Sequence, residues 1–398
     1  MRLPLIPILF VLVLGILIDL YIWKALRKRC KYQWVTKFHV VTAALVNAAL
    51  LLAICLPRRQ GSNALLLTDI WLIYTCMSVF IPKLLWIIFD LVAKIPRLWH
   101  GRLFRPLSWL GMGLAAVLFV LFWQGALFGR TALKVEETTV EIKDLPKAFD
   151  GYRIAFFSDL HTGSYGTDTT FVARVVRTIN DLRPDLIVFT GDIVNRNSDE
   201  LLPFVNTLSQ LKAPDGVDAI LGNHDYGDYT NWPSLRDKAE NMRLLYRTID
   251  RMHWKLLRDS TVWVVRGADS LAIIGVENIG DAPFPTYGSL SKAYPQVADS
   301  HTKILLTHNP RHWEDSIADN PAANIHLTLS GHTHAMQMQI GSWSPASFRY
   351  KLWGGLYGDS LRRSLFVNIG IGMVGFPARI LNANPTITLI TLRPSKQP

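Results

Sequence analysis

Four long apolar runs, at residues 4–23, 38–56, 65–91 and 107–128, occupy most of the first 129 residues. Each is close to or above the ~20 residues that a helix needs to cross ~30 Å of hydrocarbon. Inside a bilayer the backbone can satisfy its polar groups only within itself, so runs of this kind are committed to helices. The first run is long, follows a single Arg2 and has no small-x-small cleavage site before Lys24, which argues against a removable leader. The expectation is an uncleaved four-helix transmembrane region over residues 1–129.

Charge supports the same division. The formal net charge is +11, which by itself would suggest a nucleic-acid partner. Residues 1–129 carry 14 Lys/Arg against 3 Asp/Glu, whereas residues 130–398 carry 28 of each. The excess sits beside the apolar runs, where it reads as a topology signal, and the neutral remainder lacks the basic face that nucleic acid needs. One set of loops holds Lys24, Arg27, Lys28, Arg29, Lys31, Lys37, Lys94, Arg97, Arg102 and Arg105; the other holds Arg2, Arg58, Arg59, Arg130 and Lys134. Positive-inside weighting places the N-terminus and the large C-terminal part outside the cytoplasm.

Pro82 and Lys83 interrupt the third run. Lys83 is read as snorkelling toward the basic side, the other reading being a polar path facing Asp90. A channel would need polar faces on several spans, which the sequence does not display. Cys30, Cys55 and Cys76 all lie in the apolar third, so the rest of the chain has neither disulfides nor thiolate metal sites.

Composition changes after Phe128. Residues 130–149 form a linker and an edge-like strand in which Glu136, Glu137 and Glu141 alternate with Val135, Val140 and Ile142. From 150 to 398, compact β-prone runs alternate with helical spacing: a strand at 153–157, a helix at 171–182, a strand at 186–190, a helix at 201–211, a strand at 217–221 and a helix at 234–247. Strands follow at 261–266, 271–276, 304–307, 325–329, 364–370 and 385–392. This rhythm predicts an α/β domain.

Five of those strands end in polar clusters: Asp159-Leu160-His161, Gly191-Asp192, Gly222-Asn223-His224-Asp225, His308, and Gly331-His332-Thr333-His334. Groups at the carboxyl ends of strands in α/β folds meet in one crevice. Imidazoles, carboxylates and an amide without thiolates suit divalent transition metals, and the set is large enough for two ions. Two ions a few ångströms apart would activate a shared water for in-line displacement at phosphorus. Each cluster alone is weak; five in order at strand ends are not.

The ordered series Asp159-x-His161, Gly191-Asp192, Gly222-Asn223-His224-Asp225, His308 and Gly331-His332-x-His334 resembles the calcineurin-like metallophosphoesterase superfamily. The resemblance covers residues 150–392 and is narrower toward its membrane-associated, YkuE- and YaeI-like branch. It implies a four-layer α-β-β-α sandwich. It also implies that Asp159, His161, Asp192 and His334 hold one metal, and that Asp192 bridges to a second completed by Asn223, His308 and His332. His224 would be the general acid and Asp225 would orient it. The ions would be Mn, Fe or Zn. Ala335-Met336-Gln337 departs from the branch's Gly-Gly-Gln, which touches substrate detail and not the metal core.

The function implied is a membrane-anchored dimetal phosphoesterase, hydrolysing a phosphodiester, pyrophosphate or phosphomonoester by in-line attack of a metal-bridging hydroxide. A lipid-linked substrate of the UDP-2,3-diacylglucosamine type is the finer expectation. Phe348, Tyr350, Trp353 and Tyr357, beside Arg349 and Lys351, are either an interfacial lip or ordinary strand and loop residues. The alternative is a non-catalytic scaffold or sensor with a structural metal, marked by a missing ligand or a lost His224; neither mark is present.

Overall fold

The computed structural model describes residues 5–56, 63–99, 101–281, 285–294 and 301–395. Arg2, Pro4, Arg58 and Arg59, used above, lie outside the described residues. The chain divides into two compact units, residues 1–127 with 375–378, and residues 128–374 with 379–398.

The first unit contains four long helices, α1 (Leu5–Arg29), α2 (Gln33–Cys55), α3 (Asn63–Val92) and α4 (Arg105–Leu127). Among the described residues, three segments, at 33–55, 63–99 and 105–131, are long and apolar enough to cross a membrane. Leu17, Val41, Leu45, Leu52, Ile88 and Val120 all point outward and are exposed. Helices that are apolar on their outer faces as well as inside are built for a hydrocarbon surround.

Their interior is not uniformly apolar. Asp90 is fully buried and accepts from Tyr21 Oη (2.6 Å), Ser108 Oγ (2.6 Å) and Arg29 (2.5 Å), with Lys94 Nζ at 2.9 Å. Asp19 of α1 takes Lys83 Nζ at 2.6 Å and Asn47 Nδ2 at 2.8 Å, and its carbonyl oxygen lies 3.0 Å from His39 Nε2. Lys83 therefore neither snorkels nor faces Asp90, because a carboxylate on α1 is within reach and a paired cation needs no path to water. Polar groups also meet from α1, α2 and α3, a convergence that periodicity within single runs concealed.

The second unit is built on two six-stranded sheets. In chain order the strands are β1 (Lys134–Ile142), β2 (Arg153–Phe157), β3 (Leu186–Phe189), β4 (Val217–Ala219), β5 (Lys255–Leu256), β6 (Ser260–Arg266) and β7 (Asp269–Gly275). They continue with β8 (Thr302–Leu306), β9 (Leu327–Ser330), β10 (Met338–Gln339), β11 (Gly355–Gly358), β12 (Ser364–Val367), β13 (Ile380–Leu381) and β14 (Thr386–Pro394). The first sheet runs β1-β14-β2-β3-β4-β5 and the second β11-β12-β9-β8-β7-β6, with β10 and β13 as a separate pair. The helices are α5 (Thr170–Asp181), α6 (Val205–Leu208), α7 (Leu235–Arg251), α8 (Leu290–Ala293) and α9 (Arg311–Ser316).

Neighbouring residues on one strand feed different cores, as the two-residue period of a strand requires. Phe157 and Phe189 pack with Val175 and Ile179 of α5 and Ile249 of α7, whereas Phe156 and Val188 join Ile273, Leu306 and Leu329 between the two sheets. Ile274 and Leu305, on the far face of the second sheet, pack with Trp313 and Ile317 in and after α9. Each such side chain contributes roughly 1.5–3 kcal/mol on burial.

The helix expected over 201–211 is instead a 3-10 turn, Ser198–Phe204, leading into the short α6. Pro203 lies inside it and has no N–H to give a regular helix. The helix expected at 234 is present as α7, capped where Ser234 Oγ accepts from the amide of Asp237 at 3.2 Å. The edge-like strand is β1, which among the described residues pairs with β14 alone, in parallel.

Candidate metal centre

β2, β3 and β4 are parallel neighbours in the first sheet, and β8 and β9 in the second. Their carboxyl ends carry all of the residues singled out in the sequence, and the structure brings them together. Single ligand atoms from Asp159, His161, Asp192 and His334 lie within 4.8 Å of one another, as do those from Asp192, His308 and His332. All six are buried or nearly so. Asn223 Oδ1 joins the second group, 3.1 Å from His308 Nε2.

The backbone leading into this cluster is bent sharply. Asp159, His161, Asp192, His332 and His334 all have φ between 48° and 76°, in the left-handed region. For a residue with a Cβ that conformation costs about 1–2 kcal/mol, and Asp and His tolerate it better than most. The turns are held from within. Asp159 accepts from the amide of His332 at 3.0 Å, and Asp192 Oδ1 from the amide of His224 at 2.8 Å. Each carboxylate therefore holds the loop that bears another ligand.

The glycines do different jobs. Gly191 combines a left-handed φ of 94° with a tight approach, since a Cβ there would sit 2.3 Å from the amide nitrogen of Gly222. Gly222 and Gly331 have ordinary dihedrals and are required for space: a Cβ would lie 2.2 Å from Asp192 Oδ1 at the first and 2.4 Å from Asp159 Oδ2 at the second.

The donor atoms fit a cation better than they fit each other. His161 Nε2 and His334 Nε2 are 3.1 Å apart. His308 Nε2 faces Asn223 Oδ1 at 3.1 Å, His332 Nδ1 at 3.2 Å and Asp192 Oδ2 at 3.2 Å. One ring nitrogen carries at most one proton and cannot satisfy three acceptors. Spacings of this size match the edges of a coordination shell whose metal–ligand bonds are about 2.0–2.2 Å. Asp192 Oδ2, also 3.5 Å from His161 Nε2, faces both groups.

Protonation follows from the same crowding. Burial would push Asp159 and Asp192 up, but the facing imidazoles, His334 and His308 for the first and His308 and His224 for the second, hold both carboxyls below the usual range. His308 is driven up to about 9, Asp192 and Asp159 outweighing burial. His332 falls to about 3 through burial and the neighbouring His308. His161 also falls, through burial and His224. Cation binding would displace the His308 proton.

His224 stands beside these groups, half-buried, with Nδ1 2.7 Å from the carbonyl oxygen of Asn195. Asp225 does not orient it as expected. Its carboxylate instead accepts the amides of Asp192 (2.8 Å), Ile193 (2.9 Å), Val194 (3.1 Å) and Gly222 (2.8 Å). Asp225 thus ties the loop after β3 to the loop after β4, and burial with the adjacent Asp192 pushes its carboxyl up to about 7.

Sequence reasoning missed several neighbours. The Thr190 carbonyl lies 2.7 Å from His308 Nδ1, and a main-chain group leaves no mark on residue type. Tyr350 Oη lies 3.0 Å from His332 Nε2, so it borders the site. Tyr357 Oη donates to the Gly354 carbonyl at 2.9 Å, a local turn contact. Tyr229 stacks on His224 with ring centroids 4.1 Å apart. Its setting, Gly227-Asp228-Tyr229-Thr230, reads as ordinary loop.

Comparison with known proteins gives the family. Residues 1–130 match the transmembrane domain of probable calcineurin-like phosphoesterases, and residues 152–336 match the calcineurin-like phosphoesterase family. The metallophosphoesterase YkuE of Bacillus subtilis is 31% identical over 274 residues, covering 66% of this chain and 86% of its own. A transmembrane protein with metallophosphoesterase domain from Danio rerio is 28% identical over 65% of this chain, which spans only 57% of that relative. Among solved structures, the phosphopantetheinyl hydrolase PptH of Mycobacterium tuberculosis matches 63% of this chain and 99% of its own at 13% identity, with a TM-score of 0.35. The buried Asp/His cluster, the apolar helices and these relatives lead to one assignment: the chain belongs to the calcineurin-like metallophosphoesterase family, as a membrane protein and a metal-dependent phosphoester hydrolase.

Proposed function

We propose a membrane-anchored phosphoesterase that works with two divalent ions, of Mn, Fe or Zn, on a four-layer α-β-β-α domain behind four spans. Asp159, His161, Asp192 and His334 would hold one ion, and Asp192, Asn223, His308 and His332 the other. The observation that carries this reading is Asp192 Oδ2, 3.5 Å from His161 Nε2 and 3.2 Å from His308 Nε2, facing both donor groups at once. When bound, such a pair supplies an acidic water and positive charge for the oxygens of an in-line displacement at phosphorus.

The chain's own part is positioning and proton transfer. A carbonyl can only accept, so His224 donates Nδ1–H to Asn195, and the proton passed to the leaving oxygen would be a second one carried on Nε2, the ring returning to its neutral form. Asp225 acts at one remove, by holding the two loops that carry Asp192 and Asn223. A purely structural metal site would have no use for an imidazole standing beside both groups. Replacing His224 by Ala should lower turnover of bis-p-nitrophenyl phosphate or p-nitrophenyl phosphate by about 10²–10⁴-fold while leaving the fold intact. Unchanged turnover would refute the assignment.

The substrate is a phosphodiester, pyrophosphate or phosphomonoester, and a lipid-linked one of the UDP-2,3-diacylglucosamine type is the finer reading. Supporting lipid is an exposed apolar strip that begins two residues after His334: Met336, Ile340, Trp343, Phe348 (85% exposed) and Leu381. Trp343 bridges to Ile340 and meets the Phe348 ring at 6.0 Å. Equal activity on lipid vesicles and on soluble esters would remove that reading. The loop charges support a catalytic domain outside the cytoplasm at a bacterial inner membrane, beginning near residue 130. Protection of that domain from protease added to intact spheroplasts would overturn the orientation.

A further inference from the structure

Asn223 presents a problem that its backbone position does not solve. Its oxygen and its NH₂ group are nearly equal in size, and only the oxygen can bind a cation. An amide free to flip would spend part of its time with the wrong group inward. His224 has a related problem: a hydrogen bond at Nδ1 leaves the ring able to swing about that bond.

One side chain answers both. Tyr229 Oη accepts from Asn223 Nδ2 at 2.8 Å, which turns Oδ1 inward to its place 3.1 Å from His308 Nε2. The Tyr229 ring lies on the His224 imidazole with an interplanar angle of 12° and a centroid separation of 4.1 Å. The imidazole also meets His161 at 4.8 Å and 87°. His224 thus contacts a stacked ring and a perpendicular one. The segment bearing Tyr229 is anchored on both sides: Tyr287 Oη donates to Asp228 at 2.6 Å, Trp232 Nε1 to the Gly227 carbonyl at 2.7 Å, and Thr230 Oγ1 to the Arg196 carbonyl at 3.3 Å.

We propose that Tyr229 is a positioning residue with two separable functions, its hydroxyl setting the amide of Asn223 for cation binding and its ring setting the plane of His224 for proton transfer. The second function rests on the reading of His224 as the acid; the first does not. The two parts of one side chain predict different losses. Tyr229→Phe keeps the ring and removes the hydroxyl. Tyr229→Leu removes both.

The test uses the full chain in detergent or nanodiscs, with Mn²⁺ and Zn²⁺ affinity measured by competition against a chromophoric chelator, and kcat for p-nitrophenyl phosphate measured at saturating metal across pH. Tyr229→Phe should weaken metal binding by about tenfold, in the range for residues that orient ligands, and keep kcat at saturating metal and its pH profile. Tyr229→Leu should show the same loss of affinity together with a fall in kcat that Tyr229→Phe does not share. Metal binding by Tyr229→Phe equal to wild type overturns the first function. A kcat in Tyr229→Leu equal to that of Tyr229→Phe overturns the second. If Tyr229→Leu does not fold, Tyr229→Met, which also lacks both the hydroxyl and the flat ring, replaces it in the comparison. Should His224→Ala keep full turnover, the acid reading fails, and the metal-affinity result still decides the hydroxyl's function.

Discussion

Both units of this chain bury charged side chains, and they do so to opposite ends. In the helical unit Asp90 is surrounded by donors, with Arg29, Lys94, Tyr21 and Ser108 all directed at it, and Asp19 has Lys83 and Asn47. In the metallophosphoesterase unit, carboxylates and imidazole nitrogens face one another with fewer protons than acceptors around His308. A buried charge whose partners are complete is a structural pin. A buried cluster whose partners are incomplete is a place made for something else, here a cation.

The contrast can be broken first at Asp192. Asp192→Asn removes the carboxylate that faces both donor groups, and turnover should fall by at least about 10³-fold, equivalent to roughly 4 kcal/mol of barrier. Bound metal measured on the purified variant should fall with it, and normal metal content would count against the shared role. At Asp90 the expectation is reversed. Asp90→Asn leaves Arg29 and Lys94 without their carboxylate and should destabilise the helical unit by about 3–5 kcal/mol, read from denaturation in detergent. Metal affinity should stay at the wild-type value, and a change there would mean that the two interiors are not independent.

A smaller effect separates buried acids that lack a complete set of counter-charges. Glu200, buried under the loop that carries the Asn195 carbonyl, has its carboxyl pushed up to about 7, chiefly by burial. The folded form therefore binds the proton more tightly than the unfolded chain does. Its contribution is complete below about pH 4.5 and is lost as pH rises through about 7, by up to about 3 kcal/mol. Glu200→Gln should flatten the stability profile of the metallophosphoesterase unit over that window, and an unchanged slope would contradict the assignment. The smallest effect is that of metal itself. Saturation at a hundredfold excess over Kd should stabilise the metallophosphoesterase unit by about 2.7 kcal/mol in a thermal melt and leave the helical unit's transition where it was.

Much of this was legible in the sequence because the relevant signals are local. The apolar runs, the alternation around β2 and β3, and the polar residue just beyond each strand are properties of short windows. The 3-10 turn at Ser198–Phe204 was legible too, had Pro203 been weighed against the apolar spacing around it. Asp225 was not legible: its type suggested support for the adjacent His224, whereas its carboxylate reaches amides more than 25 residues away in sequence. Lys83 was misread for the same reason, its partner lying 64 positions earlier.

By itself, then, the chain's order of residues determined which segments are long apolar helices, which become strands, and which residue types gather at the strand ends. Those outcomes depend on periodicity and on chain chemistry within a few residues. Only the tertiary structure decided that Lys83 answers Asp19, that Asp225 holds backbone and not His224, and that Tyr229 lies against the site. Each depends on distance between groups far apart in the chain, set by how helices and sheets pack, and packing is a property of the whole fold.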